Sequence, residues 1–149
     1  MAITTNAICN SFKKEVLEGK HDFQTTGGSV FKLAMYTSQA TLGKSTTSFT
    51  TGNEASSPAG YSSGGKALVK PNPATSVASD VAIVDFNDLS FTNVTLTARG
   101  ALIYNTSNSN SAVAVLDFGA DKTATSGTHN LRGSRCYGKL HIYRNRSIR

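Results

Sequence analysis

Three histidines, a cluster of aspartates and three glycine-rich turns are the residues of this chain whose types could carry chemistry. His21, His129 and His141 have no His or Cys at a metal-ligand spacing, and His21-Asp22 is an adjacent pair whose side chains diverge in a strand. All three are expected to be surface or loop histidines, with no metal and no cofactor. Asp80, Asp85, Asp88, Asp117 and Asp121 crowd into the second half. Acid–base work would need two of them to converge in a cleft, with one pKa raised. Asp85 and Asp117 each precede a Phe at the end of an apolar run, where an Asp ordinarily caps a turn through its side chain. Gly43-Lys44-Ser45 has the ending of a phosphate loop, but that motif needs a glycine at position 38, where this chain has Ser38. Gly27-Gly28 and Gly64-Gly65 then read as flexible turns. No catalytic constellation emerges, and the expectation is a protein that is not an enzyme.

The charge is distributed unevenly. Residues 1–128 carry nine Lys/Arg and nine Asp/Glu, so they sum to zero, and the chain's net +6 lies in Arg132, Arg135, Lys139, Arg144, Arg146 and Arg149. Six cations without an acid repel one another, so this arm should order only against a partner that supplies acids, carbonyls or a sheet edge. The partner-binding candidates are those six residues together with Leu140 and Ile142, which would enter apolar pockets if the arm added a strand to a neighbour. Tyr137 and Tyr143 interleave with the cations and could stack on bases, but a neutral body offers no supporting electropositive face. A protein partner is therefore expected in place of nucleic acid.

The body is Ser/Thr-rich, with 18 of each residue in the chain, and only 16% of residues are charged against about 25% in a typical domain. Thr is β-branched and fits a pleated surface. At 149 residues one domain is expected. Cys9 and Cys136 sit near opposite ends with no ligand spacing and read as two free thiols. No apolar run is long enough to span a membrane, and the opening residues lack the pattern of a signal peptide, so synthesis as a soluble cytosolic protein is expected.

One helix is readable, at residues 6–18. Thr5 or Asn6 would cap it, Ile8, Phe12 and Val16 share a face that Leu17 widens, and Gly19 would end it. The period then changes to two. Residues 30–36 put Phe31, Leu33 and Met35 on one face and Lys32 on the other. Residues 38–58 read as a long surface loop with one short strand near 48–51. Residues 67–69 alternate briefly before Pro71-Asn72-Pro73 breaks the chain. Further strands are expected at 81–86, at 89–96 with a bulge at Asn93-Val94, and at 101–104, which pairs with 112–118 across the polar loop 105–111. Residues 121–128 read as a polar connection and 137–143 as a weak final strand. The buried set should include Phe31, Leu33, Leu102, Val113 and Val115. These elements predict a mainly β fold, a single-domain antiparallel β-sandwich or open barrel with one N-terminal α-helix, comprising a body at 1–128 and a basic arm at 129–149.

The start MAITTNAICNSFK is similar to that of small virion-associated structural proteins of tailed bacteriophages, many of them marine. The likeness continues through FKLAMYTS, ATLG, GYSSGGKAL, TARGALIYN and AVAVLDFG, and so covers about residues 1–128. It implies a phage structural component located in the virion and built from many copies that contact other virion proteins. The most concrete form is a head decoration or cement protein. A tail, neck or fibre component is the alternative. A carbohydrate-binding module is another, with Tyr36, Tyr61 and Tyr104 as its aromatic platforms. The family is expected to end in an apolar strand. Here the composition turns to Arg, His and Tyr after Thr128, as either a reading-frame change or a recombination would produce.

Overall fold

The computed structural model describes residues 3–78, 81–131 and 136–137. The chain is mainly β, with 45% strand and 6% helix, and it has antiparallel sheets and one short helix near the N-terminus, the fold class expected. In chain order the elements are β1 (Ala7–Ile8), α1 (Asn10–Leu17), β2 (Phe31–Tyr36), β3 (Lys66–Ala67), β4 (Thr75–Ala78), β5 (Val81–Val84), β6 (Leu89–Asn105), β7 (Ser111–Leu131) and β8 (Cys136–Tyr137). One sheet has the order β1-β7-β6-β2-β3, and a smaller one has the order β4-β5-β8.

The centre of the larger sheet is covered on both faces, and the period-two pattern of β2 shows how. Phe31 lies on one side in an aromatic layer, stacked on Phe23 at 4.6 Å and near Phe86 at 5.7 Å, with Phe12 of α1 edge-on to Phe23 at 6.1 Å. Tyr36 lies on the other side with Phe49, which stacks on Tyr104 at 4.6 Å. The loop between β2 and β3 supplies this second cover. Phe31, Leu33, Leu102, Val113 and Val115 are all buried, as the alternation predicts. Gly65 lets β3 approach β2: its φ is +70°, and a Cβ there would overlap the Leu33 carbonyl oxygen.

Several sequence expectations are corrected. The helix does not begin at residue 6. Ala7 and Ile8 are extended and pair with Val115 and Ala114, and Cys9 occupies the N-cap, with its N–H donating to the Val113 carbonyl at 3.0 Å. Edge pairing with β7 outweighs helical propensity here. Asn6, expected as a cap, instead accepts the Asp117 N–H at 2.7 Å. Ile8 and Phe12 are buried, but Val16 is 44% exposed and Leu17 is 90% exposed, so the apolar face of α1 ends at Phe12.

The strands expected at 89–96 and 101–104 are one continuous β6 that passes through Arg99-Gly100. The bulge does lie at Asn93, where φ is 55° and the register to β7 shifts. Residues 121–128, read as a connection, belong to β7, which runs on to Leu131, so the expected boundary at 128 falls inside a strand. The short strand expected near 48–51 is a single bridge from Ser48 to Ser111.

Candidate functional site

The residues singled out for partner binding, Arg132, Arg135, Lys139, Leu140, Ile142, Arg144, Arg146 and Arg149, lie outside the described residues. Asp80, His141 and most of the strand expected at 137–143 lie outside them too. The start of that region is described. The backbone at Cys136 and Tyr137 pairs antiparallel with Val84 and Ile83, so the chain after β7 returns to its own small sheet. Thr75–Ala78 is exposed throughout, with Val77 at 76%.

The polar side chains of the body gather in two networks that the sequence did not mark. The first is centred on His21, expected as a surface residue and found buried. Its loop crosses over α1, and the ring sits edge-on to Phe12 at 4.7 Å and stacked on Phe31 at 6.3 Å. Nε2 lies 2.7 Å from Glu15 Oε2, and Nδ1 lies 3.0 Å from Asn105 Nδ2. Glu15 also accepts Asn108 Nδ2 at 3.3 Å and the Ser111 hydroxyl at 3.5 Å. A Glu–His pair is the base and orienting group of many hydrolytic sites, but there the second imidazole nitrogen faces a nucleophile. Here an amide occupies it, and the His21 side chain has no exposed surface. The arrangement ties α1 to the turn between β6 and β7.

The second network surrounds Glu54, the lone acid between Asp22 and Asp80. Its Oε1 accepts the Tyr61 hydroxyl and the Gly64 N–H, both at 2.7 Å, and its Oε2 accepts the Ser63 hydroxyl at 2.7 Å. Tyr61 in turn accepts the Met35 N–H at 2.9 Å, and the Tyr104 hydroxyl donates to the Gly64 carbonyl at 2.7 Å. A cavity of about 270 Å³ opens beside Glu54, lined also by Thr51, Ser56, Ser57, Tyr61 and Ser63. Its carboxylate is already turned inward onto three protein donors. Burial, and then the bond to Glu54, pushes proton loss from Tyr61 far above the ordinary tyrosine range. Burial pushes Tyr36 up to about 12, and its hydroxyl donates to the Thr50 carbonyl at 2.6 Å. Tyr36, Tyr61 and Tyr104 are therefore buried hydroxyl anchors for the loop and offer no open ring face for a sugar.

The remaining candidates are also placed. Asp117 caps a turn as expected, with Oδ1 accepting the Gly119 N–H at 2.8 Å, and it also accepts Arg99 Nε at 3.2 Å. Asp85 Oδ1 accepts the Phe86 N–H at 3.0 Å. Cys9 is a free, buried thiol whose pKa burial, with help from Glu15, raises from 9.0 to about 12. Among the described residues no three His, Cys, Asp or Glu converge as metal ligands, and no helix is long and apolar enough to cross a membrane. Glu54 is the lone acid of a Ser/Thr/Gly loop whose one cation is Lys44, and that isolation is the faint trace of the network in the sequence. Nothing comparable marked His21.

No protein family, no curated protein and no solved structure matches the chain.

Proposed function

We propose that the chain is a structural protein of a tailed-bacteriophage virion, most concretely a head decoration protein present in many copies. The observation that carries this reading is the separation of roles along the chain. The body is neutral, and its interior carboxylate, imidazole and phenol groups are bonded to one another and pin its loops. All of the net charge is placed in residues 132–149. In this reading the body needs no charged partner of its own, and the six cations are the part of the sequence that would recruit a protein neighbour supplying acids or a sheet edge. The likeness of residues 1–128 to small phage structural proteins supports the same reading. The burial of Tyr36, Tyr61 and Tyr104 removes the platforms on which a carbohydrate-binding role would rest.

The test is a truncation. Deleting residues 138–149 removes four of the six cations but keeps β8, so it should leave the body folded while weakening incorporation into particles. Raised salt should weaken incorporation of the full chain as well, since screening shortens the reach of the six cations. Normal incorporation of the truncated chain would refute the role assigned to the arm.

A further inference from the structure

We infer that His21 is held as a neutral imidazole with its proton on Nε2, and that a second proton on this ring unlatches the turn between β6 and β7. The reading stands on the His21 network alone and goes beyond a role in the virion.

The Asn105 amide decides the tautomer. Its Oδ1 accepts the Ser107 N–H at 2.9 Å, which fixes the oxygen toward the turn and points Nδ2 at His21. An amide NH₂ is only a donor, so the Nδ1 atom it meets must offer a lone pair. The ring proton is then on Nε2 and donates to Glu15 Oε2 at 2.7 Å. Every hydrogen-bonding atom of the ring has one partner of the correct kind.

A second proton would reverse this at one atom. An N–H at Nδ1 would face the N–H of Asn105, two donors at 3.0 Å inside the core. Relief requires the Asn105 amide to turn over, which presents NH₂ to the Ser107 N–H and breaks that bond too. Asn105 is fully buried and the His21 side chain has no exposed surface, so water cannot take the place of either amide–imidazole partner, while the exposed Ser107 N–H is freed to exchange with solvent. The groups facing the ring are the Glu15 carboxylate and the Phe12 ring from α1, the Phe31 ring from β2 and the Asn105 amide from β6. Glu15 is the charged one among them, and its carboxylate also acts on Cys9 and Lys20.

The turn is a junction. The Val30 N–H donates to Ser107 Oγ at 2.9 Å, and the Thr106 N–H donates to the Val30 carbonyl at 2.9 Å. The Phe49 N–H donates to the Asn110 carbonyl at 3.0 Å. Opening the turn therefore releases the start of β2 and the loop that covers Tyr36 and Tyr104.

Long-range proton–nitrogen correlation spectra of the uniformly ¹⁵N-labelled full chain at pH 7.5 should show an unprotonated Nδ1 and a protonated Nε2 for His21. As the sample is acidified, the doubly protonated ring should appear together with a fall of about tenfold or more in the exchange protection of the Ser107 amide. Glu15→Gln should keep that coincidence, which assigns it to His21 and not to Glu15. Asn105→Asp supplies an acceptor for Nδ1–H and should leave Ser107 protected while His21 carries both protons. Proton on Nδ1 at pH 7.5, or double protonation with Ser107 protection unchanged, overturns the inference. If Asn105→Asp does not fold, the spectra of the unsubstituted chain decide alone.

Discussion

Replacing Glu54 by alanine removes the acceptor for three donors at once, and the structure sets the size of the loss. The Tyr61 hydroxyl, the Gly64 N–H and the Ser63 hydroxyl each donate to this carboxylate at 2.7 Å. A hydrogen bond to a charged acceptor contributes about 1.5–3 kcal/mol when water cannot replace it. Ser63 is exposed and finds water, so it contributes little. Gly64 is half-buried and Tyr61 is buried, so their losses dominate, and Glu54→Ala should cost about 2–4 kcal/mol. In a domain of this length each kcal/mol moves Tm by about 2–4 °C, so a drop on the order of 5–15 °C is expected. Glu54→Gln keeps a carbonyl oxygen for Tyr61 and Gly64 and turns its NH₂ toward Ser63, whose hydroxyl can rotate to accept it. That variant should lose about 1 kcal/mol. Tyr61→Phe removes one of the same bonds, so Glu54→Ala and Tyr61→Phe together should cost less than their sum. Urea unfolding of the unsubstituted chain and the four variants measures the free energies, and thermal melts of the same five proteins measure the shift in Tm. A Glu54→Ala protein that melts within about 1 °C of the unsubstituted chain would show that the network is not what holds the loop.

Phe12→Asp places an unpaired charge between Phe23 and His21 and should cost about 3 kcal/mol or more, whereas Val16→Asp should change stability by less than about 0.5 kcal/mol; equal effects in a thermal melt would contradict the helix placement. Cys9 and Tyr36 both release protons at higher pH when folded than when unfolded, from 9.0 to about 12 and from 10.0 to about 12 respectively. The folded chain thus holds more protons above pH 9, and stability should fall as pH climbs from there toward 12. Urea midpoints that stay flat between pH 8.5 and about 11 would contradict the burial of both groups. The Cys9 thiol should react with an aromatic disulfide reagent only on unfolding, with rates followed by the released chromophore and the adduct located by mass spectrometry.

Legibility followed exposure and locality. β2 and the pair formed by residues 101–104 and 112–118 were readable because alternating apolar residues mark strands with a buried face, and the polar loop between the pair marks a turn. The far half of β7 was not, because residues 119–128 pair with β6 while remaining largely exposed, so nothing in them needs to be apolar. The first turn of the expected helix was lost to a partner more than a hundred residues away, a competition that no local window contains. His21 was misread for the same reason. Its burial is set by Phe12, Phe31 and Asn105, and only the tertiary fold brings those three together. Lone acids such as Glu54 carry a fainter signal of the same kind, legible as an oddity before its donors are known.

Quantitative mass spectrometry of phage particles purified from cells that express this chain tests the proposed virion role most directly. A head decoration protein predicts peptides spanning residues 1–149 at a fixed, high ratio to the major capsid protein, retained through density-gradient purification. A low fixed ratio would move the chain to the neck, tail or fibre. Its absence from particles, with the protein abundant in infected cells, would contradict a structural role altogether.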